Sequence, residues 1–120
     1  MKLIIAGSRK WNLNIATIQD LIDVSISDDK LIEEVVSGAC RGVDKSGENW
    51  AEFQGVPIKR FKAGWSEHGN SAGPIRNKQM AEYADALLVI FDGMSPGSSS
   101  MEKEMIRLKK PVYCVVIKKL

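Results

Sequence analysis

Three short apolar runs, each leading into a glycine-containing turn and then a helix, constrain this chain more than any other feature. The runs are Leu3-Ile4-Ile5-Ala6, Val35-Val36-Ser37 and Leu87-Leu88-Val89-Ile90-Phe91. The first two pass straight into Gly7-Ser8-Arg9 and Gly38-Ala39-Cys40-Arg41-Gly42-Val43-Asp44. The third leads through Asp92-Gly93 to Pro96-Gly97-Ser98-Ser99-Ser100, and Gly73-Pro74-Ile75-Arg76-Asn77 forms one more turn of this kind. Alternating strands and helices fold as a parallel sheet sandwiched between helices. In such a sheet the turns that follow the strands share one rim, the carboxyl edge, where open α/β folds bind ligands.

The pattern predicts strands near 2–6, 33–37, 57–61, 86–91 and 112–117, with helices near 14–25, 43–54, 74–84 and 99–109. Ala86–Phe91 and Val112–Ile117 are continuously apolar, as expected of strands buried on both faces. Pro74 suits a first helical position, Gly55 closes the second helix, and Pro111 follows the end of the last. The expectation is a single domain over residues 1–120, a three-layer α/β/α sandwich on a mainly parallel sheet. The longest irregular stretch, 62–73, holds Trp65, His68 and Asn70, more than a plain connector needs.

Bulk properties narrow the partners. Seventeen basic and 15 acidic residues leave a net charge of +2, too balanced to announce a nucleic-acid or membrane partner. Lys109-Lys110 and Lys118-Lys119 read as a solvated face. There is no apolar run of membrane-spanning length, and no signal-type region follows Met1-Lys2. Cys40 and Cys114 form no paired motif, which fits a reducing, cytoplasmic setting without structural zinc. One histidine cannot build a metal site, and neither metal nor cofactor is expected.

The turns carry the candidate chemistry. Free amides at helix starts, glycines that permit close approach, and nearby arginine or serine side chains suit a phosphate. On this reading Gly7, Ser8 and Arg9 form one contact and Gly38, Arg41, Gly42 and Asp44 a second. Arg76 and Asn77 form a third; Gly97, Ser98 and Ser99 form a fourth. Asp44 has an alternative as the cap of its own helix, and Ser98 or Ser99 as an ordinary N-cap. Arg76, expected in a first helical turn, is opposed there by the helix dipole, which makes sense if an anion sits beside it. Neither the dinucleotide fingerprint nor the Walker phosphate loop is present. Trp65 could stack on a base or anchor its loop.

Taken in order, Gly7-Ser8-Arg9, Ser37-Gly38-x-x-Arg41-Gly42-x-Asp44, Ala72-Gly73-Pro74-Ile75-Arg76-Asn77 and Gly97-Ser98 resemble the YspA (cpYpsA-related) branch of the SLOG superfamily. That superfamily also groups DprA-like proteins and the LOG phosphoribohydrolases. Ala39-Cys40 stand where Gly-Ala is more usual, and Ser98 where Thr is common. The resemblance implies a Rossmann-like fold, a nucleotide-derived ligand (in some members a signal in conflict with phages) and a homodimer. It also bears on catalysis. Arg76-Asn77-Lys78-Gln79-Met80-Ala81 is similar to the LOG stretch R-K-x-x-M-A, which puts Arg76 on the catalytic arginine. The LOG loop P-G-G-x-G-T-x-x-E puts its glutamate at Met101, one residue before Glu102. One residue turns a helical side chain by about 100°. A LOG-like hydrolase therefore needs Glu102 or Glu104 as substitute. The expected function is nucleotide binding, as sensor or sequestering protein, with hydrolysis of a nucleotide's N-glycosidic bond as the alternative.

Overall fold

A computed structural model describes residues 1–91 and 96–117, with the backbone alone for 96–99. The elements run β1 (Lys2–Gly7), α1 (Ile15–Ser25), β2 (Glu34–Ser37), α2 (Val43–Gln54), β3 (Ile58–Arg60) and α3 (Trp65–His68). There follow α4 (Ala72–Tyr83), β4 (Ala86–Phe91), α5 (Pro96–Arg107) and β5 (Val112–Val116). Every strand pairing is parallel, in the order β3-β2-β1-β4-β5. This is the expected Rossmann-like three-layer architecture.

The period-2 geometry of the strands divides the core. Leu3, Ile5, Val35, Leu88 and Ile90 face Ile18 and Ile22 of α1 and Val43, Trp50 and Ala51 of α2. Their neighbours Ile4, Val36, Leu87 and Val89 face Met80 and Ala81 of α4 and Met101 and Met105 of α5. Each such side chain, fully removed from water, contributes about 1.5–3 kcal/mol. Asn14 caps α1 by accepting from the Thr17 amide at 2.8 Å. Gly55 ends α2 at φ 72°, a left-handed closure. The strand order reverses between β1 and β4, and the carboxyl ends of these strands therefore flank the crevice of the fold.

The structure corrects four local expectations. β5 is an edge strand, and Cys114 and Val116 are exposed, because no further strand or helix covers that margin among the described residues. The stretch 62–73 is largely helical: α3 and a 3-10 turn over Gly69–Ser71 lead directly into α4. As a result α4 starts at Ala72, and Pro74 falls third in the helix, where an N–H would lack an intrahelical partner in any case. Lys110 is no mere solvated charge. Its ammonium donates to the carbonyls of Ala81, Glu82 and Ala84 at 2.7, 3.0 and 2.6 Å, capping the end of α4. Lys118 and Lys119 lie outside the described residues. Among those described, no helix is long and apolar enough to cross a membrane.

Candidate functional site

The turn after β1 is built to hold the sheet together. A side chain at Gly7 would stand 1.8 Å from the Ile90 carbonyl oxygen, so β1 can reach its place beside β4 only with glycine there. Ser8 is buried, and its amide donates to that same carbonyl at 3.2 Å. The Ser8 carbonyl accepts from the Val43 amide at 3.0 Å, and its hydroxyl accepts from the Lys10 amide at 3.2 Å. The first turn is thereby tied to the second. Gly42 sits at φ 81° with Ser8 and Arg9 backbone packed against its Cα, leaving no room for a larger residue.

The turn after β2 is different. A Cβ at Gly38 would lie 2.8 Å from Asp44 Oδ2 and 3.0 Å from Arg76 Nη1, so the bare Cα lets a carboxylate and a guanidinium converge over the strand end. Ala39 follows at φ 58°, a left-handed conformation that favours glycine. A buried chain braces this strained turn. Ser37 Oγ accepts from the Ala39 amide at 3.1 Å and donates to Glu48 at 2.7 Å, and Glu48 in turn pairs with Arg60 at 2.9 Å.

Asp44 is 7% exposed. Its carboxylate turns back to accept from the Cys40 amide at 3.3 Å instead of capping α2. Burial pushes its carboxyl up from 3.8 to about 6, against the lowering effects of the Cys40 hydrogen bond and of Arg76. Arg76, 9% exposed, donates through Nη1 to the Gly38 carbonyl at 2.9 Å and to Cys40 Sγ at 3.3 Å. Its Nε donates to Asn77 Oδ1 at 3.2 Å, and the Asn77 amide nitrogen donates to Ser100 Oγ at 3.3 Å. Nη2 has no hydrogen bond among the described residues. Because α4 begins at Ala72, Arg76 stands one turn in, beyond the reach of the strongest dipole opposition. Burial, not the dipole, is what constrains it.

These groups line a cavity of about 300 Å³ at the carboxyl rim, with Gly7, Arg9, Gly38, Cys40, Asp44, Gly73, Arg76 and Asn77 in its wall. Ala6, Met80 and Met101 add apolar surface to it. Arg9, Gly38, Asp44, Arg76 and Asn77 are therefore brought together, whereas Ser8 and Gly42 act behind the wall. Arg41 is exposed and borders a separate shallow depression with Arg9, Cys40 and Trp65. Glu102 does not line the cavity. Its carboxylate lies beside Cys114 of β5, whose thiol is pushed up by partial burial and then by the Glu102 charge. Met101 occupies the wall instead. Asp92 and the side chains of Ser98 and Ser99 lie outside the described residues, and of Gly97 only the helical backbone is described.

Sequence reasoning took Cys40 as a small packed side chain, left Ser100 out of the contacts of its turn and passed over the Glu48–Arg60 pair. One signal was available. Asp44 and Glu48 are four residues apart, hence on one face of the helix expected there.

The model of the YspA, cpYpsA-related SLOG family matches residues 1–68, a span holding the first two turns. The "Gene 61 protein" of Mycobacterium phage D29 is 30% identical over 117 residues, covering 92% of this chain and 93% of that relative. No solved structure matches significantly.

Proposed function

The chain belongs to the YspA, cpYpsA-related SLOG family, and from that premise we propose that it binds a nucleotide or nucleotide-derived small molecule. The ligand's phosphate enters the cavity at the Gly-rich turns, and the protein acts as a sensor or a sequestering protein. The observation that carries this reading is the Arg76 guanidinium. It is buried at the carboxyl rim and fixed by Gly38 and Asn77, and one of its nitrogens, without a partner among the described residues, is available to an anion. Arg9 supplies a second cation at the cavity edge. A volume of about 300 Å³ suits part of a small ligand. The similarity to a phage protein is compatible with the phage-related setting that the family resemblance implies.

The test is thermal stabilisation and calorimetric titration with AMP, ADP-ribose and cyclic nucleotides. Binding is expected for at least one of them and is lost in Arg76→Ala. No stabilisation by any member of the panel defeats the reading. Native mass spectrometry of the purified protein reports co-purified ligand and subunit count together, and we infer a dimer from the family resemblance.

One observation favours a hydrolase as second reading. Asp44 lines the cavity beside Arg76, and burial, which raises its carboxyl to about 6, would let it exchange a proton near neutral pH. Release of free base from a nucleoside monophosphate, lost in Asp44→Asn, supports it; intact substrate after long incubation with pure protein removes it.

A further inference from the structure

We propose that the shallow depression bordered by Trp65, Arg41 and Arg9 is a subsite for the aromatic base of the ligand whose phosphate enters the deep cavity. The proposal rests on the nucleotide-binding reading above and adds the ligand's orientation to it.

The three tryptophans of the chain have different surroundings. Trp50 is fully buried with its indole nitrogen donating to Gln19 at 2.8 Å, and Trp11 packs against the α1–α2 core. Trp65 joins neither core cluster among the described residues and is 52% exposed. Leaving so large an apolar ring in water forfeits burial energy that the other two collect. No described cation stacks on its face.

Its indole reaches the wall of the deep cavity. The far edge of the indole, Cη2, lies 3.5 Å from where a Cβ on Gly73 would stand, and Gly73 is itself part of the cavity wall. Arg9 and Cys40 line both the cavity and the depression, which places the two spaces side by side. The depression measures about 360 Å³. One ligand can therefore place an anionic end against Arg76 and a planar end against the indole. The exposed Arg41 stands beside that planar end with donors for a ring acceptor. A flat π-face with adjacent guanidinium groups accepts any nucleobase, because every base has a stacking face. The expectation is thus a base-bearing phosphate without strong selection among bases from Trp65 itself.

Titration calorimetry with AMP and GMP, each compared with ribose 5-phosphate, tests the assignment on wild type, Trp65→Ala, Trp65→Phe and Arg76→Ala. Wild type is expected to bind the nucleotides more tightly than the base-free sugar phosphate. Trp65→Ala is expected to weaken the nucleotides about 5- to 150-fold while leaving ribose 5-phosphate unchanged. Trp65→Phe retains a ring and most of the affinity. Nucleotide binding that depends on Arg76 but not on Trp65 overturns the subsite and spares the binding function. An equal loss of all three probes in Trp65→Ala also overturns it, since that outcome marks a structural role. Absence of binding by wild type to every probe overturns both readings.

Discussion

The turns after β1 and β2 read alike as sequence, glycine followed by small and basic residues, yet they perform opposite work. In the first, Ser8 commits its amide, carbonyl and hydroxyl to Ile90, Val43 and Lys10, and Gly7 and Arg9 are left to face the cavity. In the second, Ala39 is held left-handed, Asp44 is buried with its ionisation opposed, and Arg76 is drawn in from another helix. The first turn holds no left-handed non-glycine residue; the second holds one and is braced by Ser37, Glu48 and Arg60. On the proposed function, local cost concentrated in one turn lies where the ligand is handled, and such cost persists because surrounding structure enforces it. The other turn supplies that enforcement through the Val43–Ser8 hydrogen bond.

The largest test of this contrast is Arg76→Ala. Truncating a buried charged donor costs about 2–5 kcal/mol of binding, so nucleotide affinity should fall by more than tenfold in calorimetry. Retained affinity would break the assignment of the second turn. Next in size is the pH dependence of stability. The folded carboxyl of Asp44 at about 6 lies above its ordinary 3.8, so the native state holds that proton more tightly than the unfolded chain. Its contribution is fully present below pH 3.8 and is lost as pH rises through about 6, a change of about 3 kcal/mol. Denaturant titrations should therefore find Asp44→Asn and wild type similar at pH 4 and the variant more stable at pH 7. Parallel curves would show that the carboxylate carries no such cost.

Smaller still is Ser8→Ala, expected to lower stability by about 1 kcal/mol with nucleotide affinity unchanged. A tenfold loss of affinity there would erase the distinction between the two turns. The smallest effect belongs to Ala39→Gly, which relieves the left-handed alanine and should raise stability by about 0.5–1 kcal/mol. A destabilised variant, read from its denaturation midpoint, would mean that the turn is not strained.

Apolar runs and turn residues were enough to place nearly every element, because Leu3–Ala6, Val35–Ser37 and Ala86–Phe91 are strands whose burial leaves an unbroken trace. β5 was misjudged for a related reason: an apolar run does not state whether both of its faces will be covered, and the strand order puts Val116 at the margin. The helix at Trp65–His68 gave no periodicity because one turn is too short to show any. Arg76 and Asp44 were each identifiable as rim residues. Their convergence over Gly38 was not, since it depends on α2 and α4 approaching one strand end from opposite faces of the sheet. Glu102 shows the limit of motif spacing. A shift of one helical position carried it from the cavity to Cys114.

The Lys110 cap has a mechanical consequence. Its ammonium grips the last carbonyls of α4 from just beyond α5, while Asn77 and Ser100 join the same two helices near their starts. Tied together near both ends, α4 and α5 are coupled, so a displacement of α5 is passed to α4 and to the Arg76 it carries.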